Sequence, residues 1–155
     1  FLTQFLKSLK NRSDKIFMIN PSFKEQTLNK KYLKLKELNN FSHYVAPFYN
    51  KANVNDHKLL KMIKKNKPRY IVINLGGGVQ ELLGSYLKSN LDYKPSIICS
   101  GAAIAFLTGQ QAKIPLIFDK LYLGWLIRII FDPFIFIPRY TKAFKLVFLM
   151  KYIQK

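Results

Sequence analysis

The stretch Tyr70-Ile71-Val72-Ile73-Asn74-Leu75-Gly76-Gly77-Gly78-Val79-Gln80-Glu81 decides the fold. Its first part is apolar without alternation, the pattern of a strand buried on both faces. Three glycines follow, and then apolar residues recur at helical spacing through Ser89. A doubly buried strand that passes through a glycine turn into an amphipathic helix is the repeating step of a parallel α/β sheet.

Outward from this stretch the same pattern repeats. Ile16-Phe17-Met18-Ile19 is a second continuous apolar run. Strands are predicted over Lys15–Asn20, Phe41–Ala46, Tyr70–Leu75 and Ser96–Ser100. Helices are predicted over Phe1–Asn11, Gln26–Asn39, Asn55–Asn66 and Val79–Ser89. The expected fold class is therefore α/β, a Rossmann-like, mostly parallel sheet flanked by helices.

The composition changes after Ile114-Pro115, which sets an α/β domain at 1–115 and a helical appendage at 116–155. From Leu121 onward Asp132 is the sole acid, among Arg128, Arg139, Lys142, Lys145, Lys151, Lys155 and many large apolar residues. Leu121 to Pro138 is interrupted by Arg128, Asp132 and Pro133 and makes a poor spanning helix. In Tyr140 to Lys155 the residues Phe144, Val147, Phe148 and Tyr152 share one helical face. That face suits an anionic membrane surface, a larger core or an oligomer contact.

Twenty-six Lys and Arg against eight Asp and Glu give a formal net charge of +18. Such an excess points to anionic partners: phosphorylated small molecules, acidic lipid or nucleic acid. The lysines of the helices, such as Lys30, Lys31, Lys34, Lys61, Lys64 and Lys65, read first as solvated faces. At 155 residues, 49% hydrophobic and 15% aromatic, the chain can fill a real core.

The single cysteine, Cys99, excludes an intrachain disulfide framework, fits a reducing compartment and is expected to be a buried, inert thiol. His43 and His57 lack companions at ligand spacing, so a zinc site is disfavoured and both are expected at the surface or in loops. No signal-peptide pattern is present. The sequence opens at Phe1 already in helical apolar spacing (Leu2, Phe5, Leu6, Leu9), as if entered in mid-domain, with an upstream piece expected.

Gly76, Gly77 and Gly78 let the backbone approach a ligand closely, and the new helix offers N–H groups to a phosphate. The spacing is neither a P-loop nor a complete GxGxxG, because Glu81 stands at the last glycine position, so ATP and NAD are disfavoured. Gln80 and Glu81 either complement the helix dipole or point into the cleft, toward a sugar or a phosphate. A second turn, Cys99-Ser100-Gly101-Ala102-Ala103, has Ser100 available as an N-cap. The two turns lie at the carboxyl ends of neighbouring strands, where they could cradle a diphosphate or simply pack helix on sheet.

The succession LGGGVQE, SGAAIAFLTG and KIPLIFDKLYLGWLIRIIFDPFIFIPRY resembles the WecG/TagA/CpsF family of glycosyltransferases, in order and in spacing. The family's corresponding motifs read approximately GxPKQE, GGxFDxxAG and xAPxWxxxxGLEWLYRLxxEPxRxxRRY. The resemblance implies an inverting transfer of N-acetylmannosamine or a related hexosamine from a UDP-sugar to a polyprenyl-diphosphate-linked acceptor, without a metal or other cofactor. The products would be cell-surface polysaccharides such as teichoic acid, enterobacterial common antigen, capsule or exopolysaccharide. It also implies a cytoplasmic enzyme held peripherally at the inner face of the plasma membrane.

Carried over residue by residue, Gly76, Gln80 and Glu81 match the first motif and Gly101 the second. Phe48 stands near the nucleoside position of a family tyrosine. Arg128 and Arg139 match appendage arginines that serve the diphosphate. Gly78-Val79 replaces Pro-Lys, Ala105 replaces an Asp, and Gly124 replaces a Glu. The catalytic aspartate of the family is expected upstream of Phe1. The alternatives are a nucleic-acid-binding basic module, against which the lack of an RNP-like or helix-turn-helix signature counts, and an inactive scaffold. A homo-oligomer is compatible with the apolar tail.

Overall fold

A computed structural model describes residues 2–10, 12–50, 54–111, 118 and 120–142. The chain divides into two compact units, Phe1–Thr108 and Gly109–Lys155. The compositional boundary expected after Pro115 falls within 112–117, outside the described residues.

The first unit alternates helix and strand: α1 (Leu2–Ser8), β1 (Ile16–Asn20), α2 (Phe23–Leu35), β2 (Phe41–Val45), α3 (His57–Asn66), β3 (Tyr70–Ile73), α4 (Val79–Asn90), β4 (Ser96–Cys99) and α5 (Ala103–Leu107). The four strands form one sheet in the order β2-β1-β3-β4. All its pairings are parallel, with Ile16 opposite Phe41 and Tyr70, and Tyr70 opposite Ser96. This is the α/β, Rossmann-like arrangement that the continuous apolar strands predict.

Alternation along the two central strands feeds two cores. Phe17, Ile19, Ile71 and Ile73 pack with Leu59 and Ile63 of α3 and Leu83 and Leu87 of α4. Ile16, Met18 and Val72 pack with Leu2 and Leu6 of α1, Leu33 of α2 and Ile104 of α5. Each of these buried side chains stabilises the fold by roughly 1.5–3 kcal/mol relative to exposure. The chain steps from β1 outward to β2, then returns past β1 to β3 and on to β4. The connections therefore diverge between β1 and β3, and the carboxyl ends there form a topological switch point.

Local chemistry moves some boundaries. Helix α2 starts before Gln26 because Ser22 Oγ accepts from Glu25 N at 3.2 Å and caps it. It stops before Asn39 because Glu37 takes a left-handed backbone (φ 59°), while Leu38 N donates to Leu33 O at 3.0 Å. His43 lies within β2, not in a loop. Its Nδ1 is buried without a protein partner, and burial, reinforced by Lys30, lowers its pKa to about 4.

Cys99 corrects the expectation of a buried thiol. It is exposed, because β4 is an edge strand in this sheet. Its Sγ still donates to Gln80 O at 3.5 Å. Partial burial, with Glu81 nearby, raises its pKa and keeps it a thiol at neutral pH.

In the second unit, α6 (Gly124–Phe131) is followed by helical residues 133–142. Asp132 separates them, and its Oδ1 accepts from Ile135 N at 3.3 Å. Trp125 and Tyr140 meet edge to face at 6.2 Å, and Phe136 stacks on Tyr140 at 6.3 Å. No residue of α6 is buried, and Trp125, Ile130, Phe131 and Phe134 are exposed. Among the described residues no helix is long and apolar enough to cross a membrane. Most of the predicted amphipathic segment Tyr140–Lys155 lies outside the described residues.

Candidate functional site

The carboxyl ends of β1, β2 and β3 open onto a pocket of about 960 Å³. Pro21 follows β1, Ala46 to Asn50 follow β2, and Leu75, Gly76 and Val79 follow β3, so the pocket occupies the switch point. Phe48 stands on its wall with a fully exposed ring. Gly76 and Gly77 have no atom within 4 Å of where a β-carbon would sit, so open space faces the glycine turn.

Tyr49, after β2, is held by a buried carboxylate. Buried Asp56 caps α3, its Oδ1 accepting from Leu59 N at 2.8 Å. Its Oδ2 accepts from Tyr49 Oη at 2.6 Å and Tyr44 Oη at 2.9 Å. Burial, followed by the bond to Asp56, raises Tyr44 to about 12 and Tyr49 higher still. Both phenols therefore stay protonated and donate, fixing Tyr49 against the pocket.

At the start of α4, Gly78 adopts φ 86°. The Glu81 carboxylate folds back, accepting from Gly78 N at 2.6 Å and from Gln80 Nε2 at 2.8 Å. These bonds cap the helix from which Glu81 projects, and the side chain stays exposed. The Gly78 N–H, just before the helix, therefore already has a partner. The Gln80 amide, then the backbone N–H groups of Glu81 and Gly78, lower the Glu81 pKa. The Gln80 amide oxygen turns under Gly101 (φ 54°), whose added β-carbon would lie 3.5 Å from it. Gln80 and Gly101 are thus brought together.

Ser100 does not cap α5; Ala102 occupies that position without a side-chain bond. The Ser100 hydroxyl donates to Asn74 Oδ1 at 2.6 Å. Asn74 Nδ2 in turn donates to Asn20 Oδ1 at 3.5 Å, and Asn29 Nδ2 donates to the same oxygen at 2.8 Å. Asn20 Nδ2 donates to Met18 O and Tyr44 O, both at 3.2 Å. Asn20 and Asn29 are fully buried and Asn74 is nearly so.

This relay was not anticipated from the sequence. Its signal is a polar residue at the same register position on three neighbouring strands, one step beyond Ile19, Ile73 and Cys99. Among the described residues no three His, Cys, Asp or Glu side chains gather closely enough to hold a metal ion. Arg128 and Arg139 lie in the second unit, Arg139 with its guanidinium 5.7 Å from the Phe136 ring centre.

The family model described as the glycosyl transferase WecG/TagA/CpsF family matches residues 1–155, the whole chain. The chain belongs to the WecG/TagA/CpsF family. No curated protein and no solved structure matches it. In this WecG/TagA/CpsF glycosyltransferase the two turns carrying Gly76, Gln80, Glu81 and Gly101 sit side by side at the carboxyl ends of β3 and β4. Phe48 and Gly76 share one pocket.

Proposed function

We propose that the protein transfers a hexosamine of the N-acetylmannosamine type, with inversion, from a UDP-sugar to a polyprenyl-diphosphate-linked acceptor during cell-surface polysaccharide synthesis. The observation that carries this reading is the open pocket at the switch point, walled by Phe48 and the glycine turn, in a chain of this family. The exposed Phe48 ring offers a stacking face for uracil. Gly76 and Gly77 let the donor approach the backbone, and Gly78, Gln80, Glu81, Ser100 and Gly101 surround its far end.

In the reaction the acceptor hydroxyl oxygen bonds to the anomeric carbon as the carbon–oxygen bond to UDP breaks, and the electron pair leaves with UDP. A base takes the acceptor proton. The resemblance gives the neutralisation of the leaving diphosphate to the arginines that Arg128 and Arg139 match, and the reading calls for no metal. The exposed Trp125, Ile130, Phe131 and Phe134, interspersed with cationic side chains and a single acid, suit an anionic membrane surface at the cytoplasmic face.

Calorimetric titration with UDP, GDP and ATP at two salt concentrations tests the proposal. Selective UDP binding is expected. Equal, steeply salt-dependent binding of all three nucleotides and of generic RNA would replace the reading by non-specific anion binding.

A further inference from the structure

The buried asparagine relay has a fixed polarity, which follows from which groups can donate. Backbone carbonyls only accept, so the Asn20 group facing Met18 O and Tyr44 O must be its NH₂. Asn20 Oδ1 is therefore the acceptor facing Asn29 and Asn74. Asn74 must then turn its NH₂ toward Asn20 and its carbonyl oxygen toward Ser100. The short 2.6 Å contact between Ser100 Oγ and Asn74 Oδ1 consequently holds the serine's one hydrogen. The second neighbour of that oxygen, Ile73 O at 3.3 Å, is also an acceptor.

We infer that Ser100 acts toward the ligand as a hydrogen-bond acceptor, oriented by Asn74 and Asn20, and selects an N–H or O–H group of the nucleotide sugar in preference to its diphosphate. The surroundings agree with this polarity. Ser100 N and Gly101 N both donate to Ile73 O, at 2.9 and 3.2 Å, and Ala103 N donates to Ser100 O at 3.0 Å. In the adjoining turn Gly78 N and Gln80 Nε2 are both engaged by Glu81. What faces outward there is the exposed Glu81 carboxylate, an acceptor and an anion.

Phosphate oxygens, which only accept at neutral pH, would meet a lone pair at Ser100 and a like charge at Glu81. A hydroxyl, an acetamido N–H or the imide N–H of a base would meet complementary acceptors. Ser100 is the specificity-determining residue in this account. Asn74 and Asn20 are positioning residues that act through it.

The inference rests on the nucleotide-sugar reading, and binding to the unaltered protein tests that reading separately. The probes are inorganic pyrophosphate, UDP, UDP methylated at N3 of the base, and a UDP-N-acetylhexosamine. Ser100→Ala should weaken the UDP-sugar about fivefold, the effect of one lost neutral hydrogen bond, and leave pyrophosphate unchanged. If the partner is the base imide, UDP weakens equally and its N3-methyl form is insensitive to the substitution. If the partner is a sugar group, UDP itself is insensitive.

Asn74→Leu removes the short acceptor of the Ser100 hydrogen and leaves only the longer contact to Ile73 O, which already accepts from two backbone N–H groups. Pyrophosphate affinity should then rise while UDP-sugar affinity falls, opposite changes that partial unfolding does not produce. Should Asn74→Leu fail to fold, the Ser100→Ala contrast decides alone. Weaker pyrophosphate binding by Ser100→Ala, or no change with any probe, overturns the inference while UDP binding by the unaltered protein keeps the functional reading. Absence of UDP and UDP-sugar binding to the unaltered protein overturns both.

Discussion

The Glu81 carboxylate closes on the Gly78 N–H at 2.6 Å, so the helix that starts at the glycine turn carries its own anion at its amino end. The bond joins the residue with the left-handed backbone to the residue that complements the helix dipole. Glu81→Ala should lower the thermal midpoint, with Glu81→Gln intermediate because its amide oxygen can still accept from Gly78. The folded-state pKa is lowered, so this stabilisation is complete above the ordinary value of 4.5 and is lost as the pH falls through the folded value. The difference in stability between the unaltered protein and Glu81→Ala should therefore be smaller in denaturation curves at pH 3 than at pH 7.

The glycines of the turn separate folding from binding. Gly77→Ala places a methyl where no atom lies within 4 Å and the backbone is not left-handed, so stability should change by less than about 0.5 kcal/mol. UDP affinity should fall, since the methyl enters the space left for a ligand. Gly78→Ala forces a side chain onto φ 86° and should destabilise by about 1–2 kcal/mol. Urea unfolding and UDP titration of both variants check the contrast.

Tyr49 and Tyr44 share one carboxylate oxygen of Asp56. Tyr49→Phe removes a hydrogen bond to a charged acceptor and should destabilise by about 1.5–3 kcal/mol. Asp56→Ala should cost more, because it also removes the α3 cap and takes the acceptor from both buried phenols, Tyr44 and Tyr49. Both phenol pKa values are raised, Tyr44 to about 12, so this contribution is full below about pH 10 and is lost as the pH climbs through the folded values. An alkaline spectroscopic titration should show Tyr44 ionising late, as Tyr93 does, and Tyr49 last, together with unfolding.

His43 titrates in the opposite sense. Its pKa is lowered to about 4 by burial and then by Lys30, so stability is full above the ordinary 6.5 and declines as the pH falls from there toward 4. His43→Phe should remove that part of the acid destabilisation, measured as the slope of unfolding free energy between pH 6.5 and 4.5.

The central sheet was legible because β1 as far as Ile19 and β3 from Tyr70 to Ile73 run without polar alternation, the pattern of strands covered on both faces. The same logic misjudged Cys99. An apolar run shows that a strand is covered, but not whether it has a neighbour on each side, and β4 lies at an edge. Helix ends moved where a single side chain or backbone angle decided them, Ser22 at one end of α2 and Glu37 at the other. The glycine turn and its place in the fold were legible from spacing. The Asn20–Asn74–Ser100 relay was not, because an asparagine ending a strand reads locally as a turn former. Its partners are 54 and 26 residues apart along the chain, and only the register joins them.

The central claim is that the switch-point pocket takes the uridine nucleotide of a sugar donor, and it is tested most directly by calorimetric titration with UDP beside a Phe48→Ala variant. The account predicts selective UDP binding over GDP and ATP, weakened severalfold by loss of the exposed ring that lines the pocket. Equal affinity for all three nucleotides, or UDP binding indifferent to Phe48, would contradict it.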